Sequence, residues 1–379
     1  MVKSQRVRAE PWILVHRTKS ADRLLSISGR RTTLSFVRHC YAGRPALRLL
    51  TRTAKERRRR QRLLLVTGRP SDHPFVESSL MSPTPPATVI FGGTGQIGSA
   101  LLRSLQPLAI EGALELRLAV RSPARASTLA ACMHAKIFHV DLDGSGEEDA
   151  ECFDGAATMF LLTGYSVAML AQSKRAIDMA VRAGVRHIVH LGAHSADDTT
   201  NAHLGWHQFV EKYIERCGST WTHLRPNWLM QNVLRAIRAE DDGLVLSNCL
   251  PPERRVSWVD ANDVGTAAAA VVANPAAHLG KTYGLAVEAR SMGEIAEFIA
   301  SATNTPCRYE ELDLDTFRSA KLKVDGDPQY QASALHYHAE VRAGRMPECE
   351  DLFDIEALLG RPPVHWPEFA RANASHWRR

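Results

Sequence analysis

Three glycines at three-residue spacing, Gly92, Gly95 and Gly98, carry the most specific chemistry in this 379-residue sequence. An apolar, β-branched run, Ala87-Thr-Val-Ile-Phe91, leads directly into Gly92-Gly-Thr-Gly-Gln-Ile-Gly98, and Ser99-Ala-Leu-Leu-Arg-Ser-Leu105 follows. This order reads as strand, glycine turn and helix. The glycines let the backbone turn tightly and come close to a pyrophosphate, while the helix N-terminus offers free N–H groups to the phosphates. A dinucleotide is therefore expected on Gly92, Gly95, Gln96, Ile97 and Gly98. The next strand ends Val120-Arg121-Ser122-Pro-Ala-Arg125, without the acid that would hold a ribose 2′-hydroxyl. Arg121 can offer a guanidinium fork and Ser122 a hydroxyl to a 2′-phosphate, with Arg125 as a second cation. NADP(H) is expected over NAD(H).

The proton chemistry is less direct. A tyrosine with a lysine four residues later could exchange a proton with a substrate oxygen, because the lysine lowers the tyrosine pKa; no tyrosine of this chain has one. The corresponding helix reads His203-Leu-Gly-Trp-His207-Gln-Phe-Val-Glu211-Lys-Tyr213, and four-residue spacing aligns His203, His207 and Glu211 on one face. His207 is the candidate proton donor. The same spacing also suits a structural hydrogen bond from His207 to Glu211, since hydride transfer to a quinone or iminium carbon can draw its proton from water. His203-x-x-x-His207 and His190-x-x-x-His194 have a spacing zinc could use on a helix. No third ligand is apparent and His190 falls on a strand, so no metal is expected. Cys217 and Cys249 have no basic neighbour in sequence and read as small core residues.

These residues need a scaffold. Strand-like segments at 114–120, 136–140, 158–162, 187–191 and 221–224 alternate with helix-like ones at 167–183 and 203–216, the signature of an α/β, Rossmann-type doubly wound parallel sheet. Ligands in such sheets lie beyond the carboxyl ends of the strands. That edge gathers the glycine turn, Arg121, Leu162-Thr163-Gly164-Tyr165, Gly192 to Ser195 and Arg225 to Asn227. Tyr165, Trp206, Asn227, Trp228 and Met230 would frame a pocket of aromatic rather than charged character. The Rossmann core is expected over about 86–275. A small, mostly helical C-terminal lobe follows over about 276–379, with contributions from 226–255, a capping box at Ser291-x-x-Glu294 and a helix stop at Gly360-Arg-Pro-Pro363.

The composition agrees with a folded domain: 45% hydrophobic and 23% charged residues exclude disorder throughout. No apolar run approaches the roughly 20 residues of a membrane helix. Seven cysteines without a Cys-x-x-Cys pair point to a reducing, intracellular compartment. The charge is uneven. Residues 1–70 hold sixteen Arg and three Lys against Glu10, Asp22 and Glu56, an excess of sixteen, so beneath the total of +6 the remainder carries an excess of ten negative charges. A nucleic-acid surface would need a periodic basic face with stacking groups, and nucleic acid is not expected as a partner. Residues 1–80 read either as a mitochondrial-type transit peptide or, preferably, as a reading frame begun upstream of a translation start at Met81. Cytoplasmic location follows from the second reading, mitochondrial from the first.

In combination, Gly92 to Gly98, Val120-Arg121, Gly184-Val-Arg-His-Ile-Val189, His207-x-x-x-Glu211, Trp221 to Asn232 and Val256-Ser-Trp-Val-Asp-Ala-Asn-Asp-Val264 resemble the NmrA-like branch of atypical short-chain dehydrogenases. Leu358 to Phe369 is similar to that family's C-terminal helix, and the likeness covers about 87–379. The resemblance implies an NADP(H)-binding Rossmann domain acting as monomer or homodimer. Some members reduce quinones or triphenylmethane dyes; others bind the dinucleotide and a protein partner without known turnover. It further implies a histidine at position 207 and Pro226-Asn227 near the nicotinamide. Two functions follow: an NADPH-dependent reductase of a small, flat, hydrophobic aromatic, quinone-like, enone or imine acceptor, or a catalytically silent dinucleotide sensor.

Overall fold

A five-residue apolar run can be buried along its whole length only with a strand on either side, and β1 (Ala87–Phe91) is buried at every position. The computed structural model describes residues 85–144, 148–322, 326–345 and 354–377. The expectations for residues 1–80 lie outside them. From β1 the chain passes through α1 (Gln96–Ile110), β2 (Glu115–Val120), α2 (Pro123–Cys132), β3 (Ala135–His139), β4 (Ala156–Leu161), α3 (Met169–Arg182), β5 (His187–Leu191), α4 (Ala202–Arg216) and β6 (Thr220–Pro226). After it come β7 (Trp228–Leu229), β8 (Ile237–Glu240), β9 (Gly243–Asn248), β10 (Arg255–Val259), α5 (Ala261–Ala273), β11 (Lys281–Leu285), β12 (Glu288–Ser291), α6 (Met292–Thr303) and β13 (Cys307–Glu311). The chain closes with α7 (Leu314–Leu322), α8 (Pro328–Arg342), α9 (Asp354–Leu359) and α10 (Trp366–Trp377).

Seven strands form one parallel sheet in the order β3-β2-β1-β4-β5-β6-β11. This is the doubly wound architecture expected from the sequence, and its topological break falls between β1 and β4. Successive side chains of a strand take opposite faces. Ile90 accordingly packs with Leu101, Leu118, Val264 and Val271 on one face, while Val89 and Phe91 pack with Met159, Ile177 and Ile214 on the other. Helices α1 and α5 cross closely on the first face. A Cβ at Gly265 would meet the Ala100 Cβ at 2.5 Å and the Ile97 carbonyl at 2.7 Å, so only glycine permits the crossing.

The seventh strand, β11, comes from beyond residue 275, where the lobe was expected to begin, and pairs with β6 over Lys281–Leu285. The lobe itself is built by α6, α7, α8 and α10 with two three-stranded sheets, β12-β10-β7 and β13-β9-β8. Its core is aromatic: Trp258 and Trp366 are fully buried and meet edge to face at 5.2 Å. The capping box at the start of α6 is present in both directions between Ser291 and Glu294. After α9 stops at Gly360, whose φ is +64°, Arg361 pairs with the buried Asp263 of α5 at 2.6 Å and ties the closing segment to the sheet layer. Among the described residues, no helix is long and apolar enough to cross a membrane.

Candidate nucleotide and acceptor site

The turn after β1 has the geometry its glycines suggested. Gly92 takes φ +72°, and a Cβ there would strike the Leu162 carbonyl at 2.7 Å. A Cβ at Gly98 would lie 2.2 Å from the Gly92 carbonyl. These two glycines thus allow β1, α1 and the end of β4 to converge. Gly95 is exposed and is the N-cap of α1, where no side chain caps the helix. Its free N–H groups and exposed Gln96 face outward, the arrangement a pyrophosphate needs. Ile97 is buried in the core, so its side chain is unavailable to a ligand. The local geometry fits a dinucleotide. Leu162 and Thr163 are half-buried beside this turn, and Gly164 and Tyr165 are exposed.

At the end of β2 the Arg121 side chain is 74% exposed and stands 3.7 Å from Asp143, itself about half exposed. An exposed pair of this kind is worth little and leaves the guanidinium open to a phosphate. Ser122 caps α2 without a side-chain hydrogen bond, and Arg125 is exposed in its first turn.

Helix α8 reaches this edge from the lobe, and it supplies residues that the sequence reading did not single out. Tyr330 lies 5.2 Å from Tyr165, 5.2 Å from His203 and 6.4 Å from Trp206, measured between ring centres. The Ser333 hydroxyl receives the His203 backbone N–H at 2.8 Å, and the Ser333 carbonyl accepts the Asn201 amide at 3.0 Å. Tyr337 meets the His203 ring edge to face at 5.9 Å and accepts the Trp228 indole N–H at 2.9 Å. Positions 330, 333 and 337 share one helix face, a stripe visible in the sequence but without an obvious partner there. Tyr165 and Trp206 therefore converge on Tyr330, whereas Trp228 joins the lobe's aromatic cluster with Trp258 and His338. Met230 is fully buried in the lobe core. The Asn227 side chain accepts the Trp228 N–H at 2.9 Å, and its backbone N–H bonds Leu285.

The histidine face of α4 divides. Glu211 is buried and bonded in a two-point fork to Arg225, Nε to Oε1 at 3.0 Å and Nη2 to Oε2 at 2.5 Å, so the fork of this carboxylate goes to Arg225 and not to His207. The His207 ring lies 5.9 Å from His190, and its Nδ1 is buried with no hydrogen-bond partner among the described residues. Burial holds the His207 imidazole down to about 4, with the neighbouring His203 adding to the effect. Burial also lowers His203 to about 4. Beside them the Ser195 hydroxyl, at the loop after β5, accepts Gln208 at 3.0 Å.

Comparison with known proteins matches the geometry to a family. The model of the NmrA-like family matches residues 87–352. The chain is 28% identical over 294 residues to the NAD(P)H azoreductase of Xenophilus azovorans, covering 76% of this chain and 98% of that protein. It is 27% identical over 278 residues to quinone oxidoreductase 2 of Escherichia coli (strain K12), covering 72% and 93% of the two chains. Among solved structures, the E. coli NADPH-dependent quinone oxidoreductase QOR2 complexed with NADPH superposes with a TM-score of 0.64 at 24% identity, over 76% of this chain and 99% of that one.

Proposed function

We propose, from the premise that this chain belongs to the NmrA-like family, that it is an NADPH-dependent reductase of a small, flat, hydrophobic acceptor. An NAD(P)H-dependent oxidoreductase is the reading that its azoreductase and quinone-oxidoreductase relatives support. The finer assignment rests on one observation: an uncapped glycine-turn helix N-terminus lies on the same sheet edge as an aromatic frame of Tyr165, Trp206 and Tyr330. Bound there, reduced cofactor would supply a hydride. Gly92, Gly95, Gln96 and Gly98, with the Ile97 backbone, would hold the pyrophosphate; Arg121 and Ser122 would hold the 2′-phosphate; Leu162, Thr163 and Gly164 would border the nicotinamide end.

The aromatic frame favours a planar acceptor such as a quinone, azo compound, enone or imine, because stacking rewards flat apolar surface and the frame offers no charge to a polar one. Asn227 and Trp228 would lie at the lobe side of that frame. With its imidazole held at about 4, His207 is almost entirely neutral at neutral pH. Its role in this reading is to hydrogen-bond and order the water that delivers the proton, rather than to stand as a charged acid. The test is a screen of quinones, azo dyes, enones and imines, followed by the loss of reduced-nicotinamide absorbance. Oxidation of NADPH by at least one class is expected. Tight NADPH binding with no oxidation by any of them would transfer the assignment to a dinucleotide sensor.

A further inference from the structure

Beneath the loop that follows β5, three ionisable side chains from three elements meet in the interior. His190 of β5 and His223 of β6 are register partners on adjacent parallel strands and so share one face of the sheet. Glu211 reaches them from α4. One ligand atom from each of the three lies within 4.8 Å of the others. They are 1%, 0% and 1% exposed for His190, His223 and Glu211. A buried polar atom without a partner costs on the order of 1–3 kcal/mol, and here His190 Nδ1 and both nitrogens of His223 have no hydrogen-bond partner among the described residues. Such an orphaned group calls for an occupant.

We propose that His190, Glu211 and His223 form a structural binding site for a zinc-class divalent cation, joining β5, β6 and α4. This inference is independent of the reductase reading. It departs from the expectation of no metal, which rested on spacing along single helices; the third ligand comes across the sheet. Two imidazoles and one carboxylate are the donor set of borderline-soft cations such as Zn²⁺ and Co²⁺, whereas Mg²⁺ and Ca²⁺ want oxygen throughout.

The surroundings suit a ligating role. Trp221 stacks on the His223 ring at 4.3 Å and fixes its plane. The Glu215 carboxylate stands 3.8 Å from His223 Nε2, where an outer carboxylate would orient a histidine that ligates through Nδ1. Gly192 covers the cluster on the loop side without a side chain; a Cβ there would come within 3.1 Å of His190 and 3.2 Å of Glu211. Arg225 already holds Glu211, and its charge opposes a cation. A carboxylate has about four lone-pair sites and can serve both, so the fork weakens the site without closing it. The cation would draw the three ligands together from their present separation.

The experiment uses the full chain, stripped with a chelator and titrated with zinc or cobalt alone. One ion per chain is expected, with a rise in Tm on zinc addition and, for cobalt held by the three side chains and one water, the intense visible bands of a four-coordinate ion. His190→Phe and His223→Phe should each weaken binding by more than about 100-fold, above the effect of losing an outer partner, while far-UV circular dichroism stays unchanged. Stoichiometric binding retained in both variants, or no stoichiometric binding by the folded wild type, would overturn the site. If either variant fails to fold, X-ray absorption of the zinc-loaded wild type decides: two imidazoles at about 2.0–2.1 Å support it, and a shell without them overturns it.

Discussion

In the proposed reading the choice of cofactor turns on Arg121, an exposed guanidinium whose ion pair with Asp143 is a weak surface one. Arg121→Ala should weaken NADPH binding by about tenfold to a hundredfold and leave NADH nearly unchanged, since one charge-assisted contact is worth roughly 1.5–3 kcal/mol. Fluorescence titrations at fixed ionic strength check this, and equal loss for both cofactors would make Arg121 structural. His207→Ala should lower turnover with little change in the NADPH Kd; steady-state kinetics beside a binding titration separate the two. The residue scale was only partly legible in the sequence. Glycine spacing and the missing acid after β2 are local signals, and they point to the nucleotide edge directly. The Glu211–Arg225 fork and the His190–His223 pairing were hidden, because each depends on which strands become neighbours. Four-residue spacing aligned His207 with Glu211, yet an arginine on β6 offers that carboxylate a charged two-point bond that a neutral imidazole cannot match.

Helices and strands were legible where their signals are local. β5 spans His187–Leu191, as its apolar run suggested, and α4 begins one residue earlier than expected. At α6 the capping box is formed in both directions. Ser291→Ala should therefore cost about 1 kcal/mol of stability, read as a lower denaturant midpoint at unchanged slope; an unchanged midpoint would mean that the reciprocal bond from Glu294 suffices alone. The lobe was less legible. β7, β8, β12 and β13 are two to five residues long, too short to show a period, and their pairing is long-range. β11 was assigned to the lobe by its position in the chain, whereas its parallel pairing with β6 puts it in the main sheet. The stripe Tyr330, Ser333 and Tyr337 gave α8 a face but not its partner.

At the scale of the whole fold, burial lowers several of the described histidines: His187, His203 and His207 to about 4, His223 to about 3, and His190 and His278 below the ordinary value. Well above about pH 6.5 neither the folded nor the unfolded chain protonates them, and their titration adds no pH-dependent cost. As pH falls from there toward 4, the unfolded chain takes up protons that the fold refuses, so stability drops, by up to roughly 3 kcal/mol for each histidine held near 4. Acid unfolding should therefore begin well above the carboxylate range, and denaturant midpoints measured from pH 7 to pH 4 should fall steadily; flat midpoints across that window would contradict the buried neutral state. The same scale holds the central claim, that a dinucleotide edge and an aromatic frame together make a reductase. Single-turnover oxidation of NADPH carrying deuterium at both C4 positions, by an acceptor found in the screen, tests it most directly. The account predicts oxidation several-fold slower than with unlabelled NADPH, with one deuterium left on the oxidised cofactor. Oxidation at the rate of unlabelled NADPH would contradict it.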